Sequence, residues 1–254
     1  MGLSACGSSN GSESGEIGFS EFLAQEEAKE ELIEEGEANP PHLDRDDQEV
    51  FGSIEGAGEI ISLGQYEQDS DSSNGAEAIE WIVLTREGDK ALVTSKYVLD
   101  CHKFNSEQTD VTWEDCSLRY WLNGEFASTA FSAEERARIQ TRTVVNDDNT
   151  EYKNSFGGND TEDGIFLLSL NEAKMYFSEN EARMCPPTAY ALSQGAVLSN
   201  VFSPSGEGTR WWLRSPGFDN GSASYVNIDG TIDHHGFIVR TGDCGVRPAM
   251  WIQM

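Results

Sequence analysis

Ala78-Ile79-Glu80-Trp81-Ile82-Val83-Leu84-Thr85-Arg86-Glu87-Gly88-Asp89-Lys90-Ala91-Leu92-Val93-Thr94 decides how the chain is read. Ala78 to Thr85 has the apolar density of a strand, with Ile79, Trp81 and Val83 on one face and Ile82 and Leu84 on the other. Gly88-Asp89 suits a tight turn, so Ala91 to Thr94 is expected to return as the hairpin partner. Upstream, Ile60 to Tyr66 reads as another strand, separated from the first by the polar loop Asp69 to Gly75. The domain is therefore expected to open as a β-meander.

Helices follow, announced by a Ser or Thr with an acidic residue three positions on, the pairing that satisfies the first free N–H groups of a helix. Thr112 with Asp115 predicts a helix carrying Leu118, Trp121 and Leu122 inward. Ser132 with Glu135 predicts a short helix through Ile139. Ser169 with Glu172 predicts Ala173 to Phe177 as helical, directly after the strand-like Ile165 to Leu168. A fourth is expected from Pro187 to Leu192. The last third is rich in glycine, with short strands at Trp211 to Leu213, Tyr225-Val226, Ile238-Val239 and Val246 to Ile252. The fold class is α+β, with an early meander and helices followed by a loop-rich C-terminal sheet. No internal repeat is present.

The N-terminal fifth differs. Net charge is −28, from 17 basic and 45 acidic residues. Residues 1–50 alone hold 14 acidic residues against Lys29 and Arg45. Such a charge excludes nucleic acid and anionic membrane surfaces as partners. Residues 1–57 read as a solvated, self-repelling spacer, with at most a transient helix from Phe19 to Ile33 ended by Pro40-Pro41. Residues 58–254 read as the globular domain. No stretch reaches the roughly 20 apolar residues that span a bilayer. Leu3-Ser4-Ala5-Cys6, followed by a Gly/Ser tether from Gly7 to Ser12, resembles a bacterial lipobox. Cys6 is then the lipidation site and the only link to the membrane. The apolar region that precedes a lipobox is missing, as in a chain whose start has been trimmed. The other cysteines are Cys101, Cys116, Cys185 and Cys244. In an exported protein these make two disulfides in one of three connectivities, or stay unpaired, and both alternatives stand. No CxxC and no Cys/His cluster has metal-ligand spacing.

Ile79 to Leu84, Thr112-Trp113-Glu114-Asp115-Cys116-Ser117-Leu118-Arg119-Tyr120-Trp121-Leu122-Asn123 and Ile165 to Ser169 resemble an uncharacterised domain family of exported gut-bacterial proteins. So do Trp211-Trp212-Leu213-Arg214-Ser215-Pro216-Gly217 and Gly245-Val246-Arg247-Pro248-Ala249-Met250-Trp251-Ile252, and the resemblance runs in register from about Glu59 to Met254. It implies a C-type lectin-like fold, close to formylglycine-generating-enzyme-like domains. Some members resemble variable proteins of diversity-generating retroelements. In those, the segment between the last two motifs keeps a skeleton of small and apolar residues while the positions between are hypermutated. Here the skeleton is Ala223, Val226, Gly230, Ile232, Gly236 and Val239.

Adenine mutagenesis of the codons involved cannot produce Glu, Lys, Gln, Met or Trp. These types make up 53 of the 254 residues, so a 27-residue window holds about five or six on average. Phe218 to Cys244 holds none. Turn-rich loops favour Gly, Asp, Asn and Ser in any case, but Tyr225, Phe237, Arg240 and His234-His235 are not turn residues. The resemblance therefore implies ligand-binding variable positions at Phe218, Asp219, Ser222, Tyr225, Asn227, Ile228, Asp229, Thr231, Asp233, His234, His235, Phe237, Ile238, Arg240, Thr241, Asp243 and Cys244. Aromatic anchors among short polar side chains are the composition of a binding face.

Trp211, Trp212 and Trp251 are expected in the core. Arg214 and Arg247 are expected to hold loops by bonding carbonyls or a carboxylate. Consecutive histidines on a strand point to opposite faces, so His234-His235 is not read as a metal site. Asn159-Asp160-Thr161-Glu162-Asp163 reads as a solvated loop rather than a calcium clamp. The sugar-binding calcium motifs of true lectins are absent, and no cofactor, metal or catalytic constellation is discernible. The expected function is a non-enzymatic, surface-anchored ligand-binding lipoprotein whose partner is a protein or glycan of another cell, phage or host. The alternatives are a structural or adhesin module without diversification, and an oxidase of the formylglycine-generating type, which needs a pair of reactive cysteines.

Overall fold

The computed structural model describes residues 58–198 and 208–254, all within the compact unit Pro40–Met254. Cys6, its tether, the Phe19 to Ile33 segment and Pro40-Pro41 lie outside the described residues.

The expected meander is present. Strands β1 (Ile60–Tyr66), β2 (Glu77–Glu87) and β3 (Lys90–Ser95) are antiparallel neighbours, with Trp81 opposite Ile61 and Val83 opposite Val93. Ile79, Trp81, Val83 and Leu84 have no exposed surface, so β2 is covered on both faces. The first sheet continues through the last strand, β13 (Ala249–Gln253), to β5 (Ile139–Gln140), and β13 also pairs with β8 (Ile165–Phe166). A second sheet runs β11 (Ile232–Ile238), β10 (Ser222–Val226), β9 (Trp211–Pro216), β12 (Gly245–Val246) and β4 (Asp100–Cys101), with β9 and β12 parallel. Strands β6 (Arg142–Val144) and β7 (Thr161–Asp163) form a separate ribbon. The architecture among the described residues is α+β, richer in strand than in helix.

Two of the three predicted capping boxes are complete. Ser132 caps α3 (Ala133–Arg136) and Ser169 caps α4 (Leu170–Tyr176), each with its glutamate returning to the cap N–H. Helix α3 stops three residues short of the expected Ile139, because Ile139 pairs with Ile252 as part of β5. The Thr112/Asp115 box does not form. Trp113 is buried and donates its indole N–H to Asp163 (2.9 Å), which winds Trp113–Asp115 into a 3-10 turn. The chain then re-extends at Cys116, whose sulfur caps α1 (Ser117–Trp121) by accepting from Arg119 N. A π turn (Leu122–Phe126) and α2 (Ala127–Ala130) follow. Leu118 and Leu122 point inward as expected, whereas Trp121 is half-buried under the His102 ring (4.0 Å). Helices α5 (Asn180–Arg183) and α6 (Ala189–Ser193), the latter capped by Thr188, complete the set.

The strand expected from Val246 to Ile252 is split between the two sheets. Pro248 has no N–H to give a ladder. Its carbonyl instead accepts from Ser95 N (2.9 Å) and Thr94 Oγ1 (3.1 Å), and the chain crosses between sheets at Arg247-Pro248. Nor is 159–163 a solvated loop throughout. Thr161–Asp163 is a strand, and Asp163 is buried against Trp113, Arg119 Nε (2.6 Å) and Thr161 Oγ1 (2.7 Å).

Trp81, Trp113, Trp211 and Trp212 are the largest buried side chains, and each indole N–H has an acceptor. A buried indole without one would forfeit a hydrogen bond on folding. No helix among the described residues is long and apolar enough to cross a membrane.

Candidate functional site

The site is the β10–β11 hairpin with the loops that brace it. Its backbone is fixed by residues of the skeleton. Ala223, Val226 and Val239 are fully buried. Gly236 has φ +80°, and a Cβ there would lie 2.5 Å from the Ala223 carbonyl oxygen. Gly230, at φ +77° in the hairpin tip, sits so close to α5 that a Cβ would meet the Asn180 carbonyl at 1.8 Å. Only glycine fits these two positions. The Gly230 carbonyl is held in turn by the buried Arg183 Nε (2.8 Å).

The base of the hairpin is tied to a distant loop. Asn149 Nδ2 reaches the carbonyls of Pro216 (3.1 Å), Gly217 (3.1 Å) and His234 (2.9 Å), and Ser155 Oγ donates to Gly217 O (2.7 Å). Phe218 N donates to His235 O (2.8 Å). Two of these contacts reach carbonyls of β11, at His234 and His235, and β11 is the edge strand of its sheet.

The predicted contact residues divide by burial. Phe218, Asp229, His235, Ile238 and Arg240 are exposed. Asp219, Asn227, Thr231, Asp233, His234, Phe237, Thr241 and Asp243 are half-buried. Ser222, Tyr225, Ile228 and Cys244 are buried, which corrects their expected place on the contact face; Ser222 and Tyr225 lie on β10, all of whose residues are buried, while Ile228 and Cys244 lie outside it. Ser222 Oγ bonds Asp219, and the Tyr225 hydroxyl donates to Asp233 Oδ2 (3.0 Å). Burial, and then the Asp233 charge, push the Tyr225 hydroxyl pKa up, so it stays a donor.

Phe218 stacks on His235 at 4.4 Å between ring centres, and Tyr152 meets the same imidazole edge-on at 6.0 Å. Phe237 packs on Tyr225 (4.8 Å) beneath Arg210 (5.0 Å), and Arg210 pairs with Asp243 (3.4 Å). His234 has different neighbours from His235. It lines a pocket of about 260 Å³ with Asn149, Glu151, Lys174 and Ser215. Burial, aided by Lys174, lowers the His234 pKa. A shallower hollow of about 650 Å³ lies between Thr112, Phe156, Asp219 and Asn220.

The scaffold residues Trp211, Trp212, Arg214 and Arg247 are buried, and Trp251 is half-buried under the Arg142 guanidinium (4.6 Å). Arg214 pairs with Glu172 and bonds the carbonyls of Leu167 (2.8 Å) and Val145 (2.9 Å), the loop-holding role expected of it. Cys101, Cys116, Cys185 and Cys244 are buried free thiols, so none of the three disulfide connectivities is formed and the unpaired alternative holds. Away from the hairpin, the carboxylates of Glu67, Asp69 and Glu77 lie within 4.8 Å of one another. Burial, then the Glu77 charge, raise the Glu67 pKa.

Asn149, Tyr152, Ser155 and Arg183 escaped the reading of the sequence. The run Asn146-Asp147-Asp148-Asn149 signals a turn, but nothing local shows that Asn149 will reach carbonyls 67 to 85 residues away.

Residues 88–254 match the family model described as a domain of unknown function (DUF6273). No curated protein and no solved structure matches the chain.

Proposed function

The chain belongs to the DUF6273 family, a domain of unknown function, and from the sequence and the build of its β10–β11 hairpin we propose a ligand-binding module of the bacterial surface whose recognition face is that hairpin. One observation carries the reading. Exposed Phe218, Asp229, His235, Ile238 and Arg240 are gathered on a hairpin whose backbone is pinned by Gly230, Gly236, Arg183 and Asn149. Adaptable side chains on a rigid frame are the physics of a binding face. The finer fold assignment is a C-type lectin-like domain, supported by an early meander, helices next and a second sheet rich in loops. The reading also holds that Cys6 anchors the chain and that the hairpin is diversified by a retroelement. The lipobox-like start and the absence of Glu, Lys, Gln, Met and Trp from Phe218 to Cys244 support these two parts. The oxidase alternative gains no support: the Cys101 sulfur hydrogen-bonds the carbonyls of Gly242 (3.3 Å) and Cys244 (3.4 Å), and its thiol pKa is pushed up to about 12, first by burial.

The test is to sequence related copies of the gene and its neighbourhood. The expected result is a near-copy of the Trp211–Arg247 segment with adenines at the varied positions, beside a reverse transcriptase. Differences among copies should be broad at the five exposed positions, narrower at Ser222, Tyr225, Ile228 and Cys244, and absent at Gly230 and Gly236. An even spread of differences along the domain would sink the diversified reading.

A further inference from the structure

We propose that the hollow beside His102 and Lys103 binds a phosphate monoester. It lies where the chain leaves β4, at the opposite edge of the second sheet from β11, and holds about 340 Å³. Its walls include His102, Lys103, Ser106, Ser117 and Gln194, and no carboxylate is among them. In a chain of net charge −28 such a wall is a local reversal of sign. The carboxylates next to it in sequence are engaged elsewhere. Buried Asp100 accepts from the Tyr66 hydroxyl and pairs with His102 Nε2 (3.3 Å), and Asp243 pairs with Arg210 (3.4 Å).

The donors around the hollow are unclaimed. Among the described residues, the side chains of Lys103 and Ser106 make no hydrogen bond or ion pair. Ser117 Oγ accepts from Ser106 N (2.9 Å) and keeps its own proton to give. The Lys103 stem lies along the wall, since a Cβ on Gly242 would sit 3.8 Å from Lys103 Cε. The imidazole is held in place: its ring packs on Trp121 (4.0 Å), Nε2 meets Asp100, and the His102 carbonyl accepts from Trp212 Nε1 (2.8 Å).

The kind of donor narrows the ligand. Flat carboxylates are matched by the guanidinium fork, and no arginine lines the hollow. An ammonium and two hydroxyls are point donors, which suit the several oxygens of a tetrahedral phosphoryl group. A monoester carries close to two negative charges at neutral pH, so it gains more from Lys103 than a diester does. The volume is at the low end of the roughly 300–1,000 Å³ of small-molecule sites, with room for the phosphoryl group and a short carrier. The overall charge repels anions at long range, which keeps the affinity modest.

This site goes beyond the hairpin reading and does not depend on it. It is tested on the full chain labelled with ¹³C in histidine, of which there are four. The His102 resonance is followed while methyl phosphate, dimethyl phosphate or acetate is added at constant ionic strength. Methyl phosphate should give a saturable shift at a Kd on the order of millimolar. The diester and acetate should bind about tenfold more weakly or not at all. Lys103→Gln, at an exposed position, should weaken methyl phosphate about tenfold. Lys174→Gln removes the same charge from a different pocket and should leave the affinity unchanged. No saturable shift, equal binding of the diester or of acetate, unchanged affinity in Lys103→Gln, or an equal loss in Lys174→Gln overturns the proposal. None of these results bears on the hairpin, whose reading is decided by the spread of differences among gene copies.

Discussion

Arg247 is a guanidinium taken out of water with no carboxylate to meet it among the described residues. Its Nε donates to Ser95 O (3.0 Å), its plane lies over Phe177 (4.9 Å) and Trp211 (5.0 Å), and Nη1 has no hydrogen-bond partner. Burial lowers its pKa. The two rings offset part of the desolvation through cation–π contact. Arg247→Ala should cost about 3 kcal/mol, because it opens a cavity beside the Phe177 and Trp211 rings. Arg247→Met, which fills the space without a charge, should cost less, since buried charges are often replaced by apolar groups with little loss. Denaturant midpoints would rank the two. The cysteines give a second prediction. Burial comes first among the causes raising all four thiol pKa values, with Cys101 and Cys116 pushed up to about 12. At pH 8 that leaves about one thiolate in 10⁴ at these two. Iodoacetamide should spare Cys101, Cys116, Cys185 and Cys244 in the native protein and label them in urea, as read by mass spectrometry. Native labelling at Cys244 would mean that the chain leading into β12 opens.

Helix α4 joins the two sheets through one side chain. Glu172 closes the capping box at Ser169 and also takes both terminal nitrogens of the buried Arg214. Ser169→Ala removes a cap and should cost about 1 kcal/mol. Glu172→Ala also strands a buried guanidinium and should cost about 3 kcal/mol or more. Equal losses in chemical denaturation would show that the Arg214 pair contributes nothing beyond the cap. Elements of this kind were legible in the sequence because their determinants lie within four residues: both complete boxes, the Gly88-Asp89 hairpin and the Thr188-capped helix. Thr112 with Asp115 has the same local pattern and failed, because Trp113 is claimed by Asp163, 50 residues away. The site was legible in the same proportion. Phe218, His235 and Arg240 stand out by side-chain type alone. That Tyr225 and Ser222 are buried is a matter of what packs over the faces of β10, which no short window contains. Asn149 was invisible for the same reason, since its role is defined by carbonyls on other elements.

At the scale of the molecule, strand order departs furthest from sequence order at β13. The last strand in sequence lies inside the first sheet, with β3 on one side and β5 and β8 on the other. A chain stopped before Ala249 should therefore lack cooperative unfolding, despite keeping the meander and the hairpin, because three strands lose their neighbour at once. Circular dichroism during a thermal ramp would show a sigmoidal transition for the full chain and a shallow slope for the truncated one. Because β13 follows Phe218 to Cys244, translation reaches it only after the whole contact segment has been decoded. A stop codon or frameshift anywhere in that segment deletes or scrambles β13, and the product fails to close its first sheet. A missense change at an exposed position leaves β13 intact. Folding thus acts as a proofreader of the reading frame, passing altered residues on the hairpin and handing interrupted messages to proteolysis.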